Sequence, residues 1–134
     1  MNVTDRATKH QQRMQKVRQQ IDQKIAQADQ QRGIIVLLTG NGKGKSSSAF
    51  GMLARSLGYQ QTCGVVQFIK GTWECGEQRF FEAHPGVDYH ALGSGFTWET
   101  QNMEQDRQAA QRAWQQSHRM LTDTRYQLVI LDEM

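Results

Sequence analysis

Thr39-Gly40-Asn41-Gly42-Lys43-Gly44-Lys45-Ser46 decides the fold. Ahead of it stands the apolar run Ile34-Ile35-Val36-Leu37-Leu38, and behind it Ser47-Ser48-Ala49-Phe50-Gly51-Met52-Leu53-Ala54. This order predicts a buried strand, a glycine-rich turn and a helix. Such a succession suits a phosphate-binding loop. Its glycines let backbone N–H groups turn inward at positive φ, the helix N-terminus adds partial positive charge, and Lys45 supplies a mobile ammonium. Gly40, Asn41, Gly42, Lys43, Gly44, Lys45, Ser46 and Ser47 form the candidate nucleotide-binding set, with the Ser46 hydroxyl offered to a magnesium ion. The pattern G-x-x-x-x-G-K-[ST] asks for glycine where Thr39 stands, but Gly40, Gly42 and Lys43 keep the loop flexible and cationic. The plainer reading is a glycine-rich turn with solvated lysines; it leaves unexplained why strand, loop and helix signals coincide.

Working outward, residues 46–57 place Phe50, Leu53, Ala54 and Leu57 on one helical face, and Gly58 stands where a C′ residue ends a helix. Residues 63–69 read as a second buried strand, so a right-handed parallel crossover is expected, with its C-terminal end on the edge where ligands bind in open α/β sheets. A short helix over 77–83, a Pro85-Gly86 turn and a strand over 87–92 follow. Gly93-Ser94-Gly95-Phe96-Thr97-Trp98 is a glycine-hinged loop ending in two aromatics. Those aromatics either face a ligand or pack the loop onto the domain, and both readings stand.

A long helix is expected over 99–123, capped by Thr97 or Thr100, with Met103, Ala110, Ala113, Trp114 and Leu121 on its inner side and Trp114 in the core. Residues 127–133 then form an apolar strand ending in Asp132 and Glu133. An acid at the end of such a strand faces the metal held beside a phosphate loop, so both are candidate metal ligands with Ser46. At the other end, residues 1–32 predict a polar helix with Met14, Val17, Ile21 and Ile25 as a narrow apolar stripe, either a docking element or a solvated arm. Two segments result, an N-terminal arm over 1–32 and a nucleotide-binding domain over 33–134. Four strands fall short of an average sheet of about five or six, so the chain is expected to be a C-terminally shortened form.

Bulk properties narrow the rest. A 134-residue chain suits one domain with a real core. Cys63 and Cys75 read as reduced thiols rather than a disulfide or zinc site, and no apolar run approaches a membrane span. A cytoplasmic protein without membrane partners is expected. The net charge of +3 is concentrated in residues 1–32, which contain no Phe, Trp or Tyr, so the stacking surface of a nucleic-acid binder is missing. His10, His84, His90 and His118 are scattered and read as surface residues.

Several blocks together closely resemble the ATP:corrinoid adenosyltransferases of bacterial cobalamin biosynthesis and salvage. They are Gln31-Arg32-Gly33-Ile34-Ile35-Val36, the phosphate loop, Gly64-Val65-Val66-Gln67-Phe68-Ile69-Lys70-Gly71-Thr72-Trp73, Gly95-Phe96-Thr97-Trp98-Glu99-Thr100-Gln101-Asn102 and Leu131-Asp132-Glu133. The resemblance implies a three-layer, RecA-like P-loop α/β fold with a mostly parallel sheet, incomplete at the C-terminus, plus a long N-terminal helix. It implies transfer of the 5′-deoxyadenosyl group of ATP to Co(I) of a reduced corrinoid, with release of triphosphate. Thr39 matches the family pattern; Ser46 replaces its usual threonine and keeps the hydroxyl.

The same resemblance casts Lys45, Phe96 and Trp98 as catalytic residues, the two aromatics wedging beneath the corrin to exclude its lower ligand. It further implies magnesium or manganese, an electron-donating reductase, and a homodimer closed by the N-terminal helix. Family members continue beyond the position of Met134, so weak or no activity is expected of the chain by itself. The rival readings are another P-loop kinase or ATPase, which forms ADP, and an ATP-binding fragment without turnover.

Overall fold

The strand at the centre of the sheet, β1 (Cys63–Gln67), is buried along its whole length. The computed structural model describes residues 3–69, 75–93 and 103–134. Around β1 the described elements are α1 (Val3–Gln27), α2 (Lys45–Gly58), α3 (Gly76–Glu82), β2 (Val87–Ala91), α4 (Met103–Thr122) and β3 (Leu128–Asp132). The sheet is parallel, in the order β2-β1-β3, with Gln67 level with Ala91 on one side and Asp132 on the other. Strands of a parallel sheet are covered on both faces, which explains the near-continuous apolar run of β1.

Alternation along β1 divides the core into two layers. Cys63 and Val65 face Phe50 and Leu53 of α2, Phe81 of α3 and Ile130 of β3; the Phe50 and Phe81 rings stack at 5.5 Å. Val66 faces Ala113 and Met120 of α4. Gly64 lies on that second side because a Cβ there would meet the Met120 Sδ at 2.7 Å. Small residues bring α4 close: its buried face is Ala109, Ala113, Ser117 and Met120. The expected face is therefore rotated, and Trp114, expected in the core, is 47% exposed, with Met103 and Leu121 also outside. Ala and Ser at the contact let the helix approach the sheet more closely than a tryptophan there would allow.

The chain divides into two compact units, Met1–Leu37 and Leu38–Met134. In the first, the N-terminal helix ends at Gln27 rather than near residue 32, and its stripe of Met14, Val17, Ile21 and Ile25 is exposed. The larger departure concerns residues 34–38. They were expected as a buried strand, yet they carry no regular secondary structure and Ile35 is 98% exposed. Hydropathy marks a segment as fit for a sheet, but a strand exists only where a neighbour takes its N–H and C=O groups. Among the described residues no strand pairs with this run.

At its C-terminus α2 departs in a smaller way. Gly58 is still helical, and the left-handed residue is Gln60, at φ 58°. Gln60 N donates to the Leu57 carbonyl and Gln61 N to the Ser56 carbonyl, the two bonds of a Schellman ending.

Candidate nucleotide-binding site

Three glycines shape the loop. Gly40, Gly42 and Gly44 all have positive φ, at 119°, 96° and 105°, conformations that side chains with a Cβ rarely adopt. Lys45, the first residue of α2, folds back so that its Nζ donates to the carbonyls of Gly40 at 2.9 Å and Gly42 at 2.7 Å. The ammonium is thus held over the concave side of the loop. Ser48 Oγ donates to the Gly44 carbonyl at 2.6 Å and secures the first turn.

The N-terminus of α2 is chemically incomplete. Its N-cap is Gly44, which offers no side-chain cap, and its first turn contains no acid. A helix start in that condition has unclaimed N–H donors and an uncompensated positive dipole end, sharpened here by Lys45. An anion supplies what is missing. Lys43 stands exposed on the loop as a second cation.

The packing of α2 fixes where this candidate anion site lies. The helix is about 21 Å long at 1.5 Å per residue, packs along β1 and β3, and reaches the start of β1 through a four-residue connection. Its last turn touches the beginning of β2, where Leu57 lies 3.1 Å from the position of a Cβ on Gly86. Its first turn, with Lys45 and Ser46, therefore lies toward the C-terminal edge of the sheet. Asp132 ends β3 at that same edge.

Asp132 is not free. Its Oδ2 accepts from Nε2 of the buried Gln67 at 3.1 Å, across the register position the two residues share. Glu133 follows it, exposed and at φ 57°. Among the described residues no three His, Cys, Asp or Glu side chains converge as a metal cage. Phe96, Trp98 and the segment 70–73, all singled out in the sequence, lie outside the described residues.

Two features of this edge were missed in the sequence. One is Gln67, whose signal was a lone amide inside Val65-Val66-Gln67-Phe68-Ile69 at the outgoing end of a buried strand. The other is Tyr89, whose hydroxyl is buried without a hydrogen-bond partner among the described residues. Burial, helped by nearby Cys75, Asp132, Glu82 and Glu77, pushes its phenol well above the usual tyrosine range, so it stays a donor. Two histidines also have more definite places than the surface. His84 Nδ1 accepts from Gly86 N at 3.1 Å and shapes the turn before β2, while His90 pairs with Gln116 of α4 at 3.1 Å. Both thiols are free; burial pushes that of Cys63 up, and Cys75 Sγ accepts from Gln78 N as the cap of α3.

Residues 31–134 match the family model described as ATP:corrinoid adenosyltransferase BtuR/CobO/CobP. Among curated proteins, the chain is 51% identical over 126 residues to the corrinoid adenosyltransferase CobA of Salmonella typhimurium, covering 94% of this chain and 64% of that protein. It is 48% identical over 126 residues to the corrinoid adenosyltransferase of Escherichia coli K12, with the same coverage of both chains. Against that of Pseudomonas aeruginosa the identity is 50% over 127 residues, covering 94% of this chain and 63% of the relative. The chain thus spans slightly less than two thirds of the length of these relatives.

Proposed function

Because the chain belongs to the ATP:corrinoid adenosyltransferase family, we propose that it serves the transfer of the 5′-deoxyadenosyl group from ATP to Co(I) of a reduced corrinoid. The observation that supports this reading best is the anion-seeking loop, with three positive-φ glycines, an uncapped helix start and Lys45 held over its centre. In the proposed reaction the cobalt lone pair forms the Co–C5′ bond, the C5′–O bond breaks, and its electron pair leaves with triphosphate. Cobalt is formally oxidised by two electrons. Charge grows on the departing phosphate oxygens, where N–H groups of residues 40–46, Lys43 and Lys45 stabilise it. Since Co(I) is itself the nucleophile, no protein base is required.

A magnesium ion fits the donors at this edge. The Ser46 hydroxyl and the Asp132 and Glu133 carboxylates are hard oxygen ligands, and magnesium is commonly held by one or two carboxylates together with substrate phosphates. When bound it supplies Lewis acidity at the phosphate oxygens. Phe96 and Trp98 are assigned to the corrinoid, displacing its lower axial ligand so that Co(II) becomes reducible by an electron-donating reductase. We place the protein in the cytoplasm, as a homodimer closed by α1; the free Cys63 and Cys75 suit a reducing compartment.

Product identity tests the reading. Phosphorus NMR of an anaerobic reaction of a form extended to the length of its relatives, with ATP, magnesium and Co(I) corrinoid, is expected to show triphosphate accumulating with adenosylated corrinoid. ADP as the product would instead place the chemistry at the γ-phosphate.

A further inference from the structure

Three polar side chains stand in line where the strands leave the sheet on the α2 side. Gln67 and Asp132 share a register position at the ends of β1 and β3 and are already bonded. Tyr89 of β2 pairs with Val65, two residues before the level of Gln67, and packs with Val65 and Ile130 in the layer beneath α2 and α3. It is therefore the diagonal neighbour of Gln67 on the same face, two residues along and one strand across, a backbone separation of about 8 Å at the usual strand rise and spacing. The amide of Gln67 gives its proton to Asp132, which leaves Oε1 as the acceptor end of the same side chain. The Tyr89 hydroxyl is buried, and among the described residues its donor is unspent. A donor without a partner among the described residues and an acceptor thus occupy diagonal positions on adjacent strands.

We infer that Gln67 and Tyr89 are positioning residues for Asp132: the row Tyr89–Gln67–Asp132 closes when nucleotide binds, the Tyr89 hydroxyl donating to Gln67 Oε1 while the amide holds the carboxylate. The inference rests on the phosphate-loop reading, since it needs a nucleotide at this edge to turn Asp132. A buried hydroxyl left unsatisfied is costly to the folded chain, so its presence at the ligand edge is accounted for if a bound state satisfies it. Gln67 suits the middle place because an amide both donates and accepts, which neither neighbour does in this arrangement. Raised above its ordinary range by burial, the Tyr89 phenol keeps its proton across the physiological range.

The test combines melting temperatures with calorimetric ATP·Mg titrations on the chain and its variants. Tyr89→Phe is expected to raise the melting temperature of the nucleotide-free chain while weakening ATP·Mg binding about two- to tenfold, the worth of one neutral hydrogen bond. Gln67→Leu weakens binding at least as much, and adding Tyr89→Phe to it costs little more, because the row is already broken. A purely structural tyrosine would give neither the opposed signs nor the non-additivity. Unchanged ATP·Mg affinity in Tyr89→Phe, or full additivity with Gln67→Leu, would overturn the inference, and the first result decides even if Gln67→Leu does not fold. Lys45→Ala separates the two layers of the argument. If wild type shows no ATP response, or Lys45→Ala keeps it, the phosphate-loop reading falls and this inference with it. If Lys45→Ala loses the response and Tyr89→Phe does not, only the row is wrong.

Discussion

Under the proposed reading Lys45 has two jobs that a single substitution exposes. Its Nζ ties the loop through Gly40 and Gly42, and the same ammonium is what a phosphate would meet. A charge-assisted hydrogen bond is worth roughly 1.5–3 kcal/mol, so Lys45→Ala is expected to weaken ATP binding roughly 10- to 100-fold by calorimetry. Gly64 is a packing counterpart. The Met120 Sδ that fills the place of its Cβ belongs to a buried side chain with little room to swing. Gly64→Ala should destabilise the chain by about 1–3 kcal/mol through overpacking, read from chemical denaturation.

Two tyrosines give the fold a pH dependence of known sign. Burial raises the Tyr89 phenol, and the hydrogen bond that Tyr126 donates to Asp88 raises that of Tyr126. The unfolded chain loses these protons first, near the ordinary value of 10.0, so the folded chain binds more protons above that pH. Neither group lowers stability by ionising below pH 10.0, and stability falls as pH rises from there toward the folded values. Melting temperatures should fall through this alkaline window, and Tyr126→Phe should flatten the fall; an unchanged slope in that variant would assign the effect elsewhere.

At the scale of elements, the ending of α2 is strained by a non-glycine residue. Gln60 occupies the left-handed position at φ 58°, which costs an L-residue roughly 1–2 kcal/mol. Gln60→Gly is expected to stabilise the chain by about 1 kcal/mol once glycine's greater unfolded entropy is counted; a loss of stability would mean that the Gln60 side chain contributes contacts of its own. The sequence pointed to Gly58 for this place, because glycine is the usual C′ residue and nothing local shows that the helix runs on to Gly58. What was legible was what one segment carries by itself. The glycine spacing of the loop, the apolar runs of β1 and β3 and the amphipathic α2 all survive in the structure. What was not legible depended on partners: α4 turned its Ala109, Ala113, Ser117 and Met120 face inward and left Trp114 outside. The Gln67–Asp132 pair joins residues 65 positions apart. Hydropathy assigned both residues only as strand ends, since register is a property of the sheet.

For the whole molecule, the exposed apolar run at 34–38 is the dominant liability. Five large aliphatic residues in sequence, with Ile35 almost fully in water, form the kind of segment that seeks another strand. Sedimentation or light scattering is expected to show concentration-dependent association that Ile35→Lys with Leu37→Lys reduces; persistence of association in that variant would move the sticky surface elsewhere, α1's stripe of Met14, Val17, Ile21 and Ile25 being next. No helix of the described residues is long and apolar enough to cross a membrane. Adenosyl transfer itself is followed most directly at the carbon that moves. ATP labelled with carbon-13 at C5′ would be incubated anaerobically with magnesium and Co(I) corrinoid, using a stoichiometric amount of the chain and, in parallel, a form extended to the length of its relatives. The account predicts that the labelled resonance shifts to that of a cobalt-bound methylene while free triphosphate appears, in the extended form at least, and that Lys45→Ala suppresses both. A label that stays on the ester oxygen, with ADP as the only product of either form, would contradict it.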